Sequence, residues 1–544
     1  MNSVKTISAC VIIAVICLTS PFSITAKESD WPGARQEFQD NSRNNNDKKR
    51  VACTARLSEN ITPKTDVEAA KLLLDQLTAE MARNNDGKNE ERVNIDVINA
   101  CVSGLRKITT DKAIESIIKK SADPKTNWRI RFYVIRAMGS INNPAVTQAL
   151  SDLLNEKESA LQMSALDALT ELAWPEGIQA ACNLLATNTA WEVKLAAVGY
   201  LRKIKSLDSI TPMKQAIIRN KDMEALILSE LLDLIKELSK DIPPETQDQE
   251  DPSLTKSVID LGQYYKIKIN SDRIVFILDI SGSMGWEHRE PTVKEVETKK
   301  EEAKPKPVTT GEPEKEPAAP TEPQVQTVPE PLQKKKKEID SRIPKTRIDA
   351  VKKESVNAIY YLDPRVNFSI IFYNGDIEVW KNDLVPATYE NKMDAITAID
   401  GRGPGGGTNI YDAIEAAYKM VKSAGNAPAK PKDEPKAEPK KVVSGDKKGQ
   451  PNIDKIVSGA DTVFLLTDGQ PTVGKILLPD DIINSVRRLN DLRRIKINTI
   501  AVGASDSADE NTTDQLLVNI YLMRRIAEVT GGSFVDKTYQ IKKR

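Results

Sequence analysis

Residues 276–290 read FILDISGSMGWEHRE and join two kinds of sequence. The first part is a run of β-forming apolar residues that ends in Asp279-x-Ser281-x-Ser283, a compact turn rich in side-chain oxygen. The second part leads into a long segment of Lys, Glu and Pro. Because an apolar run of this kind is typical of a buried strand, the polar turn that ends it is a candidate functional site.

The chain after residue 270 alternates apolar strands with amphipathic helices, which indicates a mostly parallel sheet covered on both faces. Asn374-Gly375 predicts a tight type I′ hairpin, and Thr346-x-x-Asp349 is typical of a helix N-terminus. Strands are predicted at 273–278, 366–373, 377–380, 462–466, 495–502 and 533–535. Helices are predicted at 347–362, 391–399, 410–422, 479–494 and 514–529.

Two segments do not fit this α/β pattern. They span about 287–342 and about 425–454, and the second contains APAKPKDEPKAEPKK. Both are rich in Pro, Lys and Glu and poor in aromatic residues, so they bury too little apolar surface to offset the entropy of ordering. We predict that both are disordered insertions.

Three oxygen-rich motifs follow predicted strands or lie in the loops above them. They are Asp279-x-Ser281-x-Ser283, the loop GPGGGT at 403–408 and the loop TDGQPT at 467–472. Ligands of an open α/β sheet bind at the carboxyl ends of its strands, so these motifs can converge on one site. Two carboxylates and three hydroxyls suit a hard divalent cation such as Mg²⁺. A lone Asp-x-Ser-x-Ser is also compatible with a simple turn, since its side chains bond nearby backbone groups.

The three motifs in this order resemble the von Willebrand factor type A (VWA) domain with its metal-ion-dependent adhesion site, over about residues 271–538. The resemblance implies a doubly wound, Rossmann-like sheet with strand order 3-2-1-4-5-6. It implies Mg²⁺, with Mn²⁺ or Ca²⁺ as alternatives, and a partner Asp or Glu that completes the coordination. The implied metal ligands are the hydroxyls of Ser281, Ser283 and Thr408 and the carboxylates of Asp279 and Asp468, which bind directly or through water.

The chain from about residue 65 to residue 240 shows a helical repeat. The segments CVSGLRKI, VIRAMGSI, ALDALTEL, AAVGYLRK and ILSELLDL begin at residues 101, 134, 165, 196 and 227, at steps of 33, 31, 31 and 31. A small residue beside a large apolar one at this period is typical of stacked helical hairpins. The segment resembles short HEAT-type repeats and predicts an all-α solenoid, with an irregular helical bundle as the alternative.

The N-terminal residues are typical of a secretory signal. A lysine, a short apolar segment and small residues up to Ala26 predict a signal peptide at 1–26, and an uncleaved anchor is the alternative. We therefore expect export to the periplasm, the cell surface or the medium, with no transmembrane segment after cleavage. Three cysteines would remain, which makes a disulfide framework improbable and leaves a Cys53–Cys101 bridge open.

These patterns predict a multidomain protein. The expected parts are the signal peptide at 1–26, a flexible leader at 27–64, the HEAT-like domain at 65–240, a linker at 241–270 and the VWA domain at 271–540. Residues 1–26 hold one lysine and no acid, so the rest of the chain has 77 basic and 78 acidic residues and a formal charge of −1. This near-neutral balance disfavours a nucleic-acid partner.

Enzymatic motifs are incomplete in this sequence. Residues 401–408 approach the phosphate-binding G-x-x-x-x-G-K-[ST], but Gly407 stands where the lysine belongs and a helix is predicted before the loop. ISGSM at 280–284 lacks the glycines of a nucleophile elbow. His288 is the only histidine, which excludes a two-histidine zinc site.

The sequence therefore predicts an exported, non-enzymatic binding protein. Its VWA site would coordinate a carboxylate of a protein partner through Mg²⁺, and the solenoid would offer a second interaction surface. One alternative is a structural envelope or matrix component in which the metal only stabilises the loops. A metal-dependent hydrolase is the other alternative, and the oligomeric state stays open.

Overall fold

A computed structural model describes residues 29–83, 93–187, 190–240, 261–287, 328–422, 459–505, 517–518 and 520–539. These residues divide into two compact units with a boundary at residue 117. Within the described ranges, no helix combines the length and apolarity needed to cross a membrane. Cys53, Cys101 and Cys182 are buried free thiols, so the described cysteines form no disulfide.

The first unit is helical. Its helices are α1 (Trp31–Asn41), α2 (Asp47–Glu59), α3 (Asp66–Ala82), α4 (Ile95–Leu105) and the start of α5 (Asp111–Ala122). Arg50 and Glu80 form a buried ion pair inside the unit, with two nitrogen–oxygen distances of 3.0 Å.

Helices α1 and α2 correct the prediction of a flexible leader at 27–64. Asp30 accepts a hydrogen bond from the Gly33 amide and Asn46 accepts one from the Lys49 amide, so both helices have N-terminal caps. Phe38 and Leu57 are buried. Both helices are polar with only a few apolar side chains, so no sustained periodicity marks them in the sequence.

The second unit begins with a series of helices. They are α6 (Trp128–Met138), α7 (Pro144–Leu153), α8 (Ser159–Leu172), α9 (Ile178–Ala186), α10 (Trp191–Ile204), α11 (Ile210–Arg219) and α12 (Ala225–Ser239). Helix α8 packs on α6 and α10, and α10 packs on α12.

The five repeated segments lie in or overlap the alternate helices α4, α6, α8, α10 and α12. The large residue at their fifth position is fully buried in every case: Leu105, Met138, Leu169, Tyr200 and Leu231. The prediction of an all-α region is therefore confirmed. Its assignment to the HEAT class stays a prediction.

The rest of the second unit is an α/β domain. Its strands are β1 (Gln263–Tyr264), β2 (Ile267–Lys268), β3 (Arg273–Asp279), β4 (Asn367–Tyr373), β5 (Ile377–Val379), β6 (Asp383–Pro386), β7 (Val421–Lys422), β8 (Thr462–Thr467), β9 (Lys496–Ser505), β10 (Leu517–Val518) and β11 (Phe534–Tyr539). Its helices are α13 (Glu330–Asp340), α14 (Arg347–Tyr361), α15 (Tyr389–Asp400), α16 (Ile410–Lys419), α17 (Pro479–Arg493) and α18 (Ile520–Thr530).

The main sheet confirms the predicted strand order. Strands β4, β3, β8, β9 and β11 are parallel neighbours, and β5 pairs antiparallel with the outer edge of β4. The six strands predicted from the sequence therefore lie in the order 3-2-1-4-5-6. All seven residues of β3 are buried because Phe276 and Leu278 face one core cluster while Val275 and Ile277 face the other.

Several elements differ from the sequence predictions. β1 and β2 form a hairpin inside the predicted linker, where Tyr264 packs edge-on against Phe276 at a centroid distance of 5.2 Å. The β4–β5 hairpin is present, but its loop has three residues and neither Asn374 nor Gly375 has positive φ. Strand β10 occupies 517–518, where the sequence predicted the first turn of a helix.

The first predicted insertion is partly folded. Helix α13 lies within the range 287–342 predicted to be disordered. It buries Leu332 and Ile339 in the core cluster that also contains Phe276. Lys335 also forms a 2.7 Å ion pair with Asp400 at the end of α15. Two apolar residues in a Lys-rich segment are too few to give a helical pattern that could be recognised in the sequence. The prediction for 288–327, and the whole of the second insertion at 425–454, lie outside the described residues.

The repeat helices of the second unit contact helix α17 and the edge of the sheet where the strands β3, β8 and β9 begin. Arg136 in α6 pairs with Asp491 at 2.8 Å, and Glu230 in α12 pairs with Lys496. Arg273 lies over the Trp191 ring of α10 at 5.1 Å from the ring centroid. The carboxyl ends of the same strands lie at the opposite edge and remain available for a site.

Glu192 in α10 is a buried acidic residue near the contact between the repeat helices and the sheet. Its side chain is 4% exposed, and neither carboxylate oxygen has a hydrogen-bond partner among the described residues. Burial raises its pKa to about 7, an effect that Arg273 and Arg493 only partly counter. Glu230 lies on the same face with two cationic partners, and these outweigh burial and lower its pKa.

Candidate metal site

The five predicted ligands lie at the carboxyl-end edge of the sheet. Asp279 ends β3 and Asp468 directly follows β8, and these two strands are neighbours. Ser281 and Ser283 lie in the turn after β3, and Thr408 directly precedes the N-cap of α16. A Cβ built on Gly469 would lie 3.6 Å from Ser283 Oγ and 3.8 Å from Thr408 Oγ1, so both hydroxyls approach one point.

Backbone contacts hold the first two motif loops together. The Gly282 amide donates to the Gly406 carbonyl at 3.1 Å, and the Gly405 amide donates to the Ile280 carbonyl at 2.9 Å. Gly406 has a φ of +76°, a conformation that favours glycine. A Cβ on Gly407 would lie 2.9 Å from a methyl group of Val473. The glycine-rich loop therefore makes close backbone contacts that place the residue after it.

The third motif fixes that residue, Thr408. Its amide donates to Thr472 Oγ1 at 2.8 Å, and its carbonyl accepts from the Thr472 amide at 3.0 Å. Both backbone groups of Thr408 are therefore held by this loop. Helix α15, which ends at Asp400, precedes the glycine loop, so the strand required before a phosphate-binding motif is absent from these described residues.

The spacing of the oxygen atoms is compatible with one coordination sphere. Ser281 Oγ lies 3.2 Å from Ser283 Oγ, and Ser283 Oγ donates to Asp468 Oδ1 at 2.6 Å. Adjacent ligands of an octahedral Mg²⁺ are about 3.0 Å apart when the bonds are about 2.1 Å long. The Ser281 amide donates to Asp279 Oδ1 at 2.8 Å and so fixes the turn.

The two carboxylates are buried and interact. Thr467 Oγ1 donates to Asp279 Oδ2 at 2.6 Å, and Tyr373 Oη, which lies 3.1 Å from the Leu466 carbonyl oxygen, is 3.3 Å from the same Asp279 oxygen. Burial, followed by the nearby charge of Asp468, raises the pKa of Asp279 to about 7. Burial also raises the pKa of Asp468, although Ser283 and Arg347 oppose this. Two carboxylates at low exposure therefore favour a cation between them.

Arg347 is a site residue that the sequence did not reveal. It is the first residue of α14, whose capping box between Thr346 and Asp349 confirms the predicted helix start. Arg347 Nη1 donates to Asp468 Oδ2 at 2.8 Å, and the side chains are 2% and 0% exposed. Arginine at a helix start is ordinary in a sequence, and the pairing joins residues 121 positions apart. No sequence signal could have identified it.

The donor chemistry fits a hard divalent cation. Across the described ranges no group of three or more His, Cys, Asp or Glu side chains could hold a metal ion. The arrangement instead offers hydroxyl and carboxylate oxygens around the point beside Gly469, which Mg²⁺ accepts and Zn²⁺ rarely uses. The ligand role of each residue stays a prediction.

The sheet order is that of the von Willebrand factor type A domain, as the sequence resemblance implied. The chain is 28% identical over 136 residues to inter-alpha-trypsin inhibitor heavy chain H2 of Mesocricetus auratus, covering 25% of this chain and 12% of that protein. It is 30% identical over 141 residues to inter alpha-trypsin inhibitor, heavy chain 4, of Mus musculus, covering 26% of this chain and 12% of that protein.

The chain is also similar to a solved structure described as von Willebrand factor type A from Catenulispora acidiphila. That similarity has a TM-score of 0.26 and 14% identity and covers 50% of this chain and 38% of the other. No family model matches the chain. The matched part spans about an eighth of the length of the two heavy chains, at 12% in each case.

Proposed function

We propose that this protein is an exported, non-enzymatic binding protein that coordinates a carboxylate of a protein partner through Mg²⁺ at the VWA site. The observation that carries the proposal is the convergence of two buried carboxylates and three hydroxyls at the carboxyl-end edge of the sheet. Export rests on the signal-like sequence of residues 1–26 alone. The repeat helices would offer a second interaction surface.

The side chains of the site have distinct tasks in this proposal. Ser281, Ser283 and Thr408 would hold the cation through neutral oxygens, while Asp279 and Asp468 supply the negative charge. Thr467 orients Asp279 through the hydrogen bond that it donates to Oδ2 at 2.6 Å. When bound, the cation supplies an open coordination position for a carboxylate oxygen of the partner.

The ligand set favours binding over catalysis. Both carboxylates would hold the cation, and Arg347 donates to the other oxygen of Asp468. A hydrolase would need a further group to accept a proton from water at this position. The carboxylates are already engaged, so we assign the site to recognition.

The first test measures the cation alone. Isothermal titration with Mg²⁺ should show binding by the wild-type chain and none by Asp279→Ala or Thr408→Ala. Thr397→Ala, which removes an exposed hydroxyl from α15 of the same domain, is the matched control and should bind as the wild type does. Equal binding of Mg²⁺ by the wild type and Asp279→Ala would refute the assignment of the site.

The second test asks whether the cation serves a partner or only stiffens the loops. Peptides selected by phage display in Mg²⁺ and counter-selected in EDTA should contain Asp or Glu, and Asp→Asn or Glu→Gln in such a peptide should abolish binding. If Mg²⁺ raises the free energy of unfolding but acidic peptides bind equally in EDTA, the cation has the structural role instead.

A further inference from the structure

Arg347 is a buried cation inside the candidate metal site, in addition to the five oxygen ligands. It donates to Asp468 Oδ2 at 2.8 Å, while Ser283 donates to Asp468 Oδ1 at 2.6 Å. Both oxygens of Asp468 are therefore engaged by the protein itself. A carboxylate held in this way can stay ionised in a buried place without a bound cation.

The guanidinium of Arg347 packs closely against Gly503 and Trp286. Gly503 has a φ of +93°, and a Cβ built there would lie 2.9 Å from Arg347 Cζ, so a larger residue would crowd the guanidinium. The Trp286 ring lies on another side, with its centroid 5.5 Å from Arg347 Cζ. The Arg347 amide also donates to the Trp286 carbonyl at 3.0 Å. These contacts fix the guanidinium beside Asp468.

The charge of Arg347 has opposite effects on the site without a cation and on the site with one. Asp279 and Asp468 carry two negative charges when ionised, and Arg347 balances one of them. A divalent cation would bring the sum to +1 instead of zero. A positive charge next to a cation repels it, while the same charge attracts the carboxylate of a partner.

We propose that Arg347 is a positioning residue that holds Asp468 while no cation is bound and weakens the affinity of the site for Mg²⁺. It keeps the loaded site positively charged, which favours an anionic partner group. This inference rests on the proposed function, since it concerns the same site. It goes beyond that function because it assigns the strength of cation binding to a residue that is not a ligand.

The test compares Arg347→Gln with a matched variant, Arg273→Gln. Arg273 forms another buried Arg–Asp pair, 2.8 Å from Asp461, at the far end of β3. Six residues of strand place it about 20 Å from the site. Both variants should unfold at lower denaturant concentration than the wild type in EDTA, because each leaves a buried aspartate without its cation.

The affinities for Mg²⁺ should separate the two variants. In isothermal titration, the Kd of Arg347→Gln should fall about tenfold, which corresponds to about 1.4 kcal/mol. The Kd of Arg273→Gln should stay at the wild-type value, and Arg347→Lys, which keeps the charge, should stay within about twofold of it. If Arg347 had a purely structural role, Arg347→Gln would lower both the stability and the affinity for Mg²⁺.

The outcomes distinguish the inference from the function it rests on. If the wild type binds Mg²⁺ and Arg347→Gln binds it equally or more weakly, the inference is overturned and the proposed function stands. If the wild type binds no Mg²⁺, both are overturned. Should Arg347→Gln not fold, Arg347→Met retains the aliphatic volume and carries the same expectation of tighter binding.

Discussion

Glu192 should make the stability of the second unit fall as the pH rises. Its pKa is about 7 in the folded chain against an ordinary 4.5. Between these values the folded state keeps a proton that the unfolded state has lost, so the folded state binds more protons and its stability decreases with pH. The stabilisation is complete below about pH 4.5 and is lost as the pH rises through 7.

The magnitude follows from the difference between the two pKa values. Each pKa unit is worth about 1.4 kcal/mol, so Glu192 should cost about 3 kcal/mol at pH 8 relative to pH 4.5. Glu192→Gln removes the ionisation and keeps the shape. The variant should therefore be more stable than the wild type at pH 8, by up to about 3 kcal/mol, and nearly equal to it at pH 4.5.

Urea denaturation at pH 4.5, 6, 7 and 8, followed by circular dichroism in EDTA, measures this difference. Subtracting the variant from the wild type cancels the other groups that titrate in the range, Asp279 among them. Glu230→Gln is the matched control. Lys496 and Arg202 lower the pKa of Glu230 despite its burial, so this variant should lose stability at pH 8. A wild-type minus Glu192→Gln difference that does not change with pH would refute the reasoning.

Three further substitutions test the packing by chemical denaturation. Leu169→Ala in α8 should lower the free energy of unfolding by about 2–5 kcal/mol, because the side chain is fully buried. Glu80→Gln should cost up to about 3–5 kcal/mol, because Arg50 loses its buried partner and keeps only the exposed Asp47 at 2.8 Å, while exposed Glu59→Gln should have almost no effect. Gly503→Ala should cost more than Gly531→Ala. Both positions have positive φ, but only a Cβ at Gly503 meets Arg347; equal costs would contradict that contact.

The α/β part could be predicted closely from local sequence. The apolar run at β3 predicted a buried strand over 273–278, and the structure extends it by one residue to Asp279. Every other predicted strand and helix of this part has an observed counterpart with shifted ends. Period and apolarity act over a few neighbouring residues, so they can be recognised without the fold.

The short polar elements could not be predicted in this way. Helices α1, α2 and α13 each bury only a few apolar side chains in a charged sequence. Their stability comes from the partners that they pack against, and these partners lie elsewhere in the chain. A composition that is typical of disorder therefore included three helices.

The sequence alone determined the five oxygen side chains of the candidate site, because each belongs to a short motif at the end of a strand or in a loop. The tertiary structure decided that Arg347 joins Asp468 and that Arg273 lies over the Trp191 ring where the repeat helices contact the sheet. Those pairings link residues far apart in the sequence, and each partner is ordinary in its local segment. The strand order brings the ends of β3 and β8 together, and the start of α14 places Arg347 beside Asp468.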